Sequence, residues 1–164
     1  MEKLKELMPY VIILLVVVLI RSFIVTPVRV DGSSMVPNLH DREILILKKY
    51  DKSYHRFDIV VIKEGKDRLV KRVIGLPGET IMYKNNHLFI NGKKIDLKDY
   101  DFDTEDFTLE DIGYEKVPKD AYFVLGDNRY NSKDSRYFGP VLKEDITGTT
   151  NLRVWPLKKL GHVN

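Results

Sequence analysis

The sequence predicts a mostly β protein, an antiparallel β domain behind a single N-terminal apolar helix. Three observations predict it. Tyr10 to Ile20 is an unbroken apolar stretch that continues past Arg21 and Ser22 to Val25. Beyond it the apolar segments are short, β-branched and punctuated by turn residues. Between those segments no helical period appears, leaving room only for short helical turns. The 164 residues suit one domain with a short appendage. With 43% hydrophobic and 31% charged residues, disorder and low-complexity repeats are excluded as the main reading. The absence of cysteine removes disulfide frameworks, thiolate metal sites and cysteine nucleophiles. Twenty-seven basic against 24 acidic residues is not the charge pattern of a nucleic-acid binder.

The first element is the apolar run over 7–25, which as a helix rises roughly 28 Å, close to the hydrocarbon thickness of a bilayer. Lys3 and Lys5 precede it as they precede a cleaved secretory signal, but no small-x-small site follows and the chain's one alanine is Ala121. Hydrophobicity all round the helix disfavours a buried core helix. A retained anchor is therefore expected, dividing the chain into a short cytoplasmic start (1–6), a transmembrane helix (7–25) and an extracytoplasmic β domain (26–164). Lys3 and Lys5 set the N-terminus inside, and Arg21 snorkels toward the outer headgroups. Pro27 ends the helix and opens an extended connector.

The strands expected next are Glu43–Leu47, Asp58–Ile62, Arg68–Ile74, Thr80–Tyr83, His87–Ile90 and Tyr122–Leu125, joined as a Greek key or meander. Lys84-Asn85-Asn86 and Asn91-Gly92-Lys93 are turn signals, so Ile81 to Ile95 reads as a small hairpin series. The acidic stretch from Asp99 to Asp111 lacks the glycine and terminal glutamate offsets of an EF-hand, and reads as a surface loop with aromatic tacks. No metal site is expected.

For chemistry, His40, His55, His87 and His162 are scattered over loops and turns with no His-x-x-x-His pair. What remains is Ser–Lys chemistry, in which an amine replaces imidazole as general base. Gly32-Ser33-Ser34-Met35-Val36-Pro37-Asn38-Leu39 presents hydroxyls at a rigid bend, though a plain loop reads the same way. In Leu69-Val70-Lys71-Arg72-Val73-Ile74 the two cations point to opposite faces. A lysine facing the interior has its pKa pulled from ~10.4 toward about 7–8; the bland alternative is an edge-strand lysine that blocks aggregation. Gly126-Asp127-Asn128-Arg129-Tyr130-Asn131-Ser132-Lys133-Asp134-Ser135-Arg136 is denser in hydrogen-bonding groups than a solvent loop needs, with Asp134 and Arg136 placed to pair.

Together and in this order, the anchor, Ser-Met-x-Pro, Lys-Arg-Val-x-Gly-x-Pro-Gly-Glu and Gly-Asp-Asn-Arg-x-Asn-Ser-x-Asp-Ser-Arg resemble the bacterial type I signal peptidases, membrane-anchored serine endopeptidases with a Ser–Lys dyad. The resemblance runs from the anchor to Trp155-Pro156. It implies Ser34 as nucleophile, Lys71 as general base, Ser132 bonded to the lysine amine, and Asp127, Asp134 and Arg136 holding the site. It also implies secreted preproteins as substrates, cleavage at the outer face of the cytoplasmic membrane, a membrane lipid environment, and no cofactor, nucleic acid or obligate protein partner. Small side chains are expected at the first and third residues before the cut, with Met35, Leu39, Leu69 and Val70 crowding the subsites and a strand-like edge at Asp31 and Gly32 pairing with the substrate. Three positions depart from the family pattern: Asn38 for threonine, Phe57 for the glycine before Asp58, and Gly32 where some members carry an oxyanion-donating serine. The competing readings are a non-catalytic, membrane-tethered β domain that binds envelope partners, and a self-cleaving repressor of the related Ser–Lys fold.

Overall fold

The computed structural model describes every residue except Met1, Asp51, Lys98, Asp99, Asp101 and Asn164, with only the backbone for residues 2–6 and 19–23. Helix α1 spans Glu2–Phe23, and its described side chains from Leu7 to Val18 are all exposed. Among the described residues no helix is long and apolar enough to cross a membrane. The expected placement of Arg21 lies outside the described side chains. The helix stops before Val25, earlier than expected, because Thr26 precedes a proline and the Pro27 ring would clash with the Phe23 carbonyl in a continued helix. Pro27 therefore sits inside a strand and not in a connector, tolerated because that strand is at the sheet edge.

Twelve strands follow among the described residues: β1 (Val25–Arg29), β2 (Ile44–Lys48), β3 (Ile59–Glu64), β4 (Asp67–Gly75), β5 (Ile81–Lys84), β6 (His87–Ile90), β7 (Lys93–Lys94), β8 (Phe107–Thr108), β9 (Ala121–Leu125), β10 (Val141–Leu142), β11 (Ile146–Trp155) and β12 (Gly161–His162). An α-helical turn, α2, covers Ser135–Phe138, and 3-10 turns cover Leu109–Ile112, Lys143–Asp145 and Leu157–Lys159. The larger sheet runs β1-β2-β11-β3-β4-β9-β10 with β12 on β11, and the smaller runs β7-β6-β5-β8. Among the described residues every ladder is antiparallel, as expected. The hairpin series forms as read: Asn85 (φ 48°) and Asn86 (φ 63°), then Asn91 (φ 50°) and Gly92 (φ 75°), supply the positive dihedrals of two-residue turns.

Strand β11, absent from the sequence reading, is the longest and lies between β2 and β3. Its inward positions Ile146, Gly148 and Thr150 alternate correctly, but two of the three are not apolar. Gly148 is required there, since a Cβ would lie 2.1 Å from the Lys48 carbonyl oxygen of β2. The acidic stretch is a loop only in part, because β8 pairs with β5. Its aromatic tacks are present: Tyr100 stacks on Phe57 at 4.4 Å and Phe107 on Phe123 at 5.6 Å. Asp99 and Asp101 lie outside the described residues.

Candidate active site

The loop between β1 and β2 carries the serine pair. Asp31 and Gly32 follow β1, which ends at Arg29 and forms the edge of the larger sheet. Gly32 turns the chain at φ +87°, its N–H donating to Asp41 Oδ1 at 2.9 Å. Met35 (1% exposed) and Leu39 (0%) plug the loop into the core, tied by Leu39 N–H to the Met35 carbonyl at 2.8 Å. Ser34 is left half-buried between these anchors.

Lys71 sits on β4, flanked by β3 and β9, so it is not an edge-strand lysine. It is 2% exposed, and its Nζ lies 2.7 Å from Ser34 Oγ. Burial pulls the amine from 10.5 to about 8, against Asp134 and Asp127, which raise it, and with Arg136, which lowers it further. Arg72 points elsewhere, as strand alternation requires, yet it too is fully buried. Its Nε and Nη2 grip Asp127 at 2.8 and 2.6 Å, and its Nη1 donates to the Phe57 carbonyl at 2.9 Å. Phe57 has φ +72°, the left-handed region that favours glycine, which accounts for the family's glycine at this place. Its ring packs on Tyr100, which in turn covers the Arg72 guanidinium at 4.7 Å.

The loop after β9 closes over both. Asp134 caps α2, accepts two bonds of 2.9 Å from Arg136, and receives the Gly126 N–H at 3.1 Å, so the expected ion pair is formed. Asn128 N–H donates to the Ser34 carbonyl at 3.0 Å, and Asn131 Nδ2 to Ser33 Oγ at 2.9 Å. Ser33 thus has its hydroxyl engaged on this loop while Ser34 faces the amine. Ser132 is placed differently from the expectation. Its Oγ is buried with no hydrogen-bond partner among the described residues, and it stands where a Cβ on Gly126 would be, 2.2 Å away. The four residues expected to line the subsites divide: Met35, Leu39 and Val70 share one core cluster, and Leu69 packs against another.

A family model described as signal peptidase, peptidase S26, matches residues 4–155. The chain belongs to that family. Signal peptidase I P of Bacillus subtilis subsp. natto is 45% identical, covering 92% of this chain and 88% of its own. Signal peptidase I of Bacillus caldolyticus is 43% identical, covering 96% and 94%. A crystal structure of a signal peptidase I from Enterococcus faecalis V583 superposes with a TM-score of 0.54 at 41% identity, covering 59% of this chain and 96% of that one. This protein is therefore a peptidase with a mostly antiparallel β fold of the signal peptidase I kind.

Within this peptidase the sequence reading missed the polar clamps. Arg129 is buried, its Nε donating to the Gly126 carbonyl at 2.9 Å and its Nη1 to Tyr83 Oη and Thr104 Oγ1 at 2.9 and 2.7 Å, so the small sheet braces the loop. Asn38 reaches Asp127. The density of amides and arginines in Gly126–Arg136 was the signal for Arg129, while Asn38, Tyr83 and Thr104 lie outside that stretch. A reaction that uses the neutral Lys71 amine has a kcat/KM that rises along an acidic limb with a midpoint near 8. A pH–rate profile on a preprotein checks this; a rate flat from pH 6 to pH 10, with chemistry limiting, contradicts it.

Proposed function

We propose that this peptidase removes N-terminal signal peptides from secreted preproteins by Ser–Lys catalysis, held by α1 in the cytoplasmic membrane with the β domain outside. The contact of 2.7 Å between the buried Lys71 amine and Ser34 Oγ carries the reading. Lys71 accepts the hydroxyl proton as Ser34 attacks the scissile carbonyl, and the Ser34 backbone N–H donates to the developing oxyanion. The protonated amine then donates to the leaving nitrogen, giving an acyl-enzyme. Water, deprotonated by the same amine, releases it. Asp134 and Asp127 keep the ammonium tolerable between these steps, and Arg72 and Arg136 fix the two carboxylates. No metal or organic cofactor enters. The run of exposed, mostly apolar side chains from Leu7 to Val18 supports membrane attachment through α1, although its described residues fall short of a spanning segment. A solvated, non-catalytic role for Lys71 is not favoured by a side chain that is 2% exposed.

The test is incubation of the full chain in detergent with a preprotein, followed by mass spectrometry of the new N-terminus; a product beginning just after the signal segment is expected, and an intact preprotein contradicts the reading. Specificity follows from packing. With Met35 and Leu39 closed into the core beside the nucleophile, the floor next to Ser34 has little room to yield, and a large residue before the cut costs roughly 1–3 kcal/mol. A preprotein series varying only that residue is expected to be cut at least tenfold faster with alanine than with leucine or lysine. Equal rates contradict the small-pocket prediction.

A further inference from the structure

We propose that Asn38 is a positioning residue for the Ser34–Lys71 pair, its side-chain amide fastening the nucleophile loop to the Asp127 carboxylate that Arg72 holds on the base strand. This rests on the Ser–Lys reading. Asn38 Nδ2 donates to Asp127 Oδ2 at 2.8 Å. The amide orientation is set by chemistry, since a carboxylate gripped by a guanidinium accepts only, so the nitrogen must face it. The same Oδ2 takes Arg72 Nη2 at 2.6 Å, and Oδ1 takes Arg72 Nε at 2.8 Å. Three segments therefore meet on one buried carboxylate: the loop carrying Ser34, the strand carrying Lys71 next to Arg72, and the loop whose Asn128 N–H holds the Ser34 carbonyl.

Asn38 is secured from its other end as well. Its carbonyl accepts from Arg153 Nη1 at 3.3 Å, and that guanidinium is paired with the buried Glu43 at 2.9 Å. Leu39 N–H to the Met35 carbonyl closes the turn between Asn38 and the nucleophile. Loss of the amide frees the loop four residues from Ser34 while leaving the Arg72–Asp127 pair in place. A neutral donor also suits the electrostatics. The Lys71 amine faces Asp134, Asp127 and Arg136 from the loop after β9, with Arg72 beside it on β4. An added negative charge at 38 favours the ammonium, and an amide adds none.

The experiment compares full-length native protein, Asn38→Ala, Asn38→Asp and Ser34→Ala on one preprotein, with kcat and KM measured against pH per folded molecule. Asn38→Ala is expected to lose about tenfold in kcat with KM within twofold of native. Asn38→Asp keeps the shape but sets a second carboxylate against Asp127; it is expected to lose at least as much and to move the acidic limb upward. A role in filling space predicts the reverse order, with the aspartate near native. Native kcat in Asn38→Ala, or near-native kcat in Asn38→Asp, overturns the proposal. Ser34→Ala separates the two readings: if it cleaves, the Ser–Lys reading fails, and if it is inactive while Asn38→Ala is fully active, only the role of Asn38 fails.

Discussion

Lys71→Met is expected to lower kcat/KM by roughly 10⁴-fold or more and to make the protein more stable. The catalytic loss follows from taking away the base that activates a hydroxyl, a step whose removal in serine proteases costs that much or more. The stability gain follows from linkage. The folded-state pKa of Lys71 is lowered from 10.5 to about 8, so below about pH 8 both folded and unfolded states carry the charge and the folded state bears its full desolvation cost. Between about 8 and 10.5 the unfolded chain holds a proton that the folded one lacks, so stability rises with pH; above that window the cost is gone. The shift corresponds to roughly 3 kcal/mol, and an unbranched thioether of similar length removes it. Thermal unfolding at pH 7 should show a Tm several degrees higher for Lys71→Met. Ser34→Ala is expected to match the loss of activity without that gain. A Lys71→Met protein that still cleaves, or one less stable than native at pH 7, contradicts the assignment of a buried, destabilising base.

The second large effect is expected from Gly126→Ala, one methyl group added outside the dyad. Its Cβ would meet Ser132 Oγ at 2.2 Å, the Ser34 carbonyl oxygen at 2.5 Å and Ser132 Cβ at 2.6 Å. Rotation of Ser132 relieves only the contact with its Oγ; the Ser34 carbonyl and Ser132 Cβ cannot turn away, so a loop must move. The Ser34 carbonyl is also what Asn128 N–H holds at 3.0 Å, and displacement breaks that clamp. A shift of about 1 Å at a reacting atom costs on the order of 10²-fold, and overpacking of this kind destabilises by about 1–3 kcal/mol. Gly92→Ala is the control: its φ of +75° makes the substitution strained, but nothing lies within 4 Å, so stability should fall with kcat/KM unchanged. Gly126→Ala with native kcat/KM would contradict the close packing of the two loops.

The parts of this fold that the sequence announced are those in which local chemistry and global placement agree. Strand β6 was read to the residue, and β2 to β5 and β9 to within a residue or two, because each is a short run rich in β-branched, aromatic or other apolar residues between turn residues. Strand β11 was hidden because its inward face at Gly148 and Thr150 is set by close backbone approach and not by apolar bulk. The two-residue strands β7, β8, β10 and β12 are made by their partners and carry no period of their own. In the site, the Asp134–Arg136 pair was readable because its members are two residues apart. The Arg72–Asp127 pair, the Asn38 bridge and the Arg129 brace join residues 55, 89 and 46 positions apart, and no local pattern encodes such a distance. Ser132 shows the converse: a role carried over from the resemblance met a hydroxyl that stands against Gly126 instead of on the amine.

If Ser34 attacks the substrate as its proton passes to Lys71, an acid quench within the first turnover traps the acyl-enzyme on Ser34. Native protein is mixed with excess preprotein above pH 8, quenched within the first turnover, digested and mapped by mass spectrometry. A signal-peptide adduct on the fragment containing Ser34, confined to Ser34 by sequencing and absent from Ser34→Ala and Lys71→Met, is the result predicted. An adduct on Ser33 or elsewhere, or continued cleavage by Ser34→Ala, contradicts it.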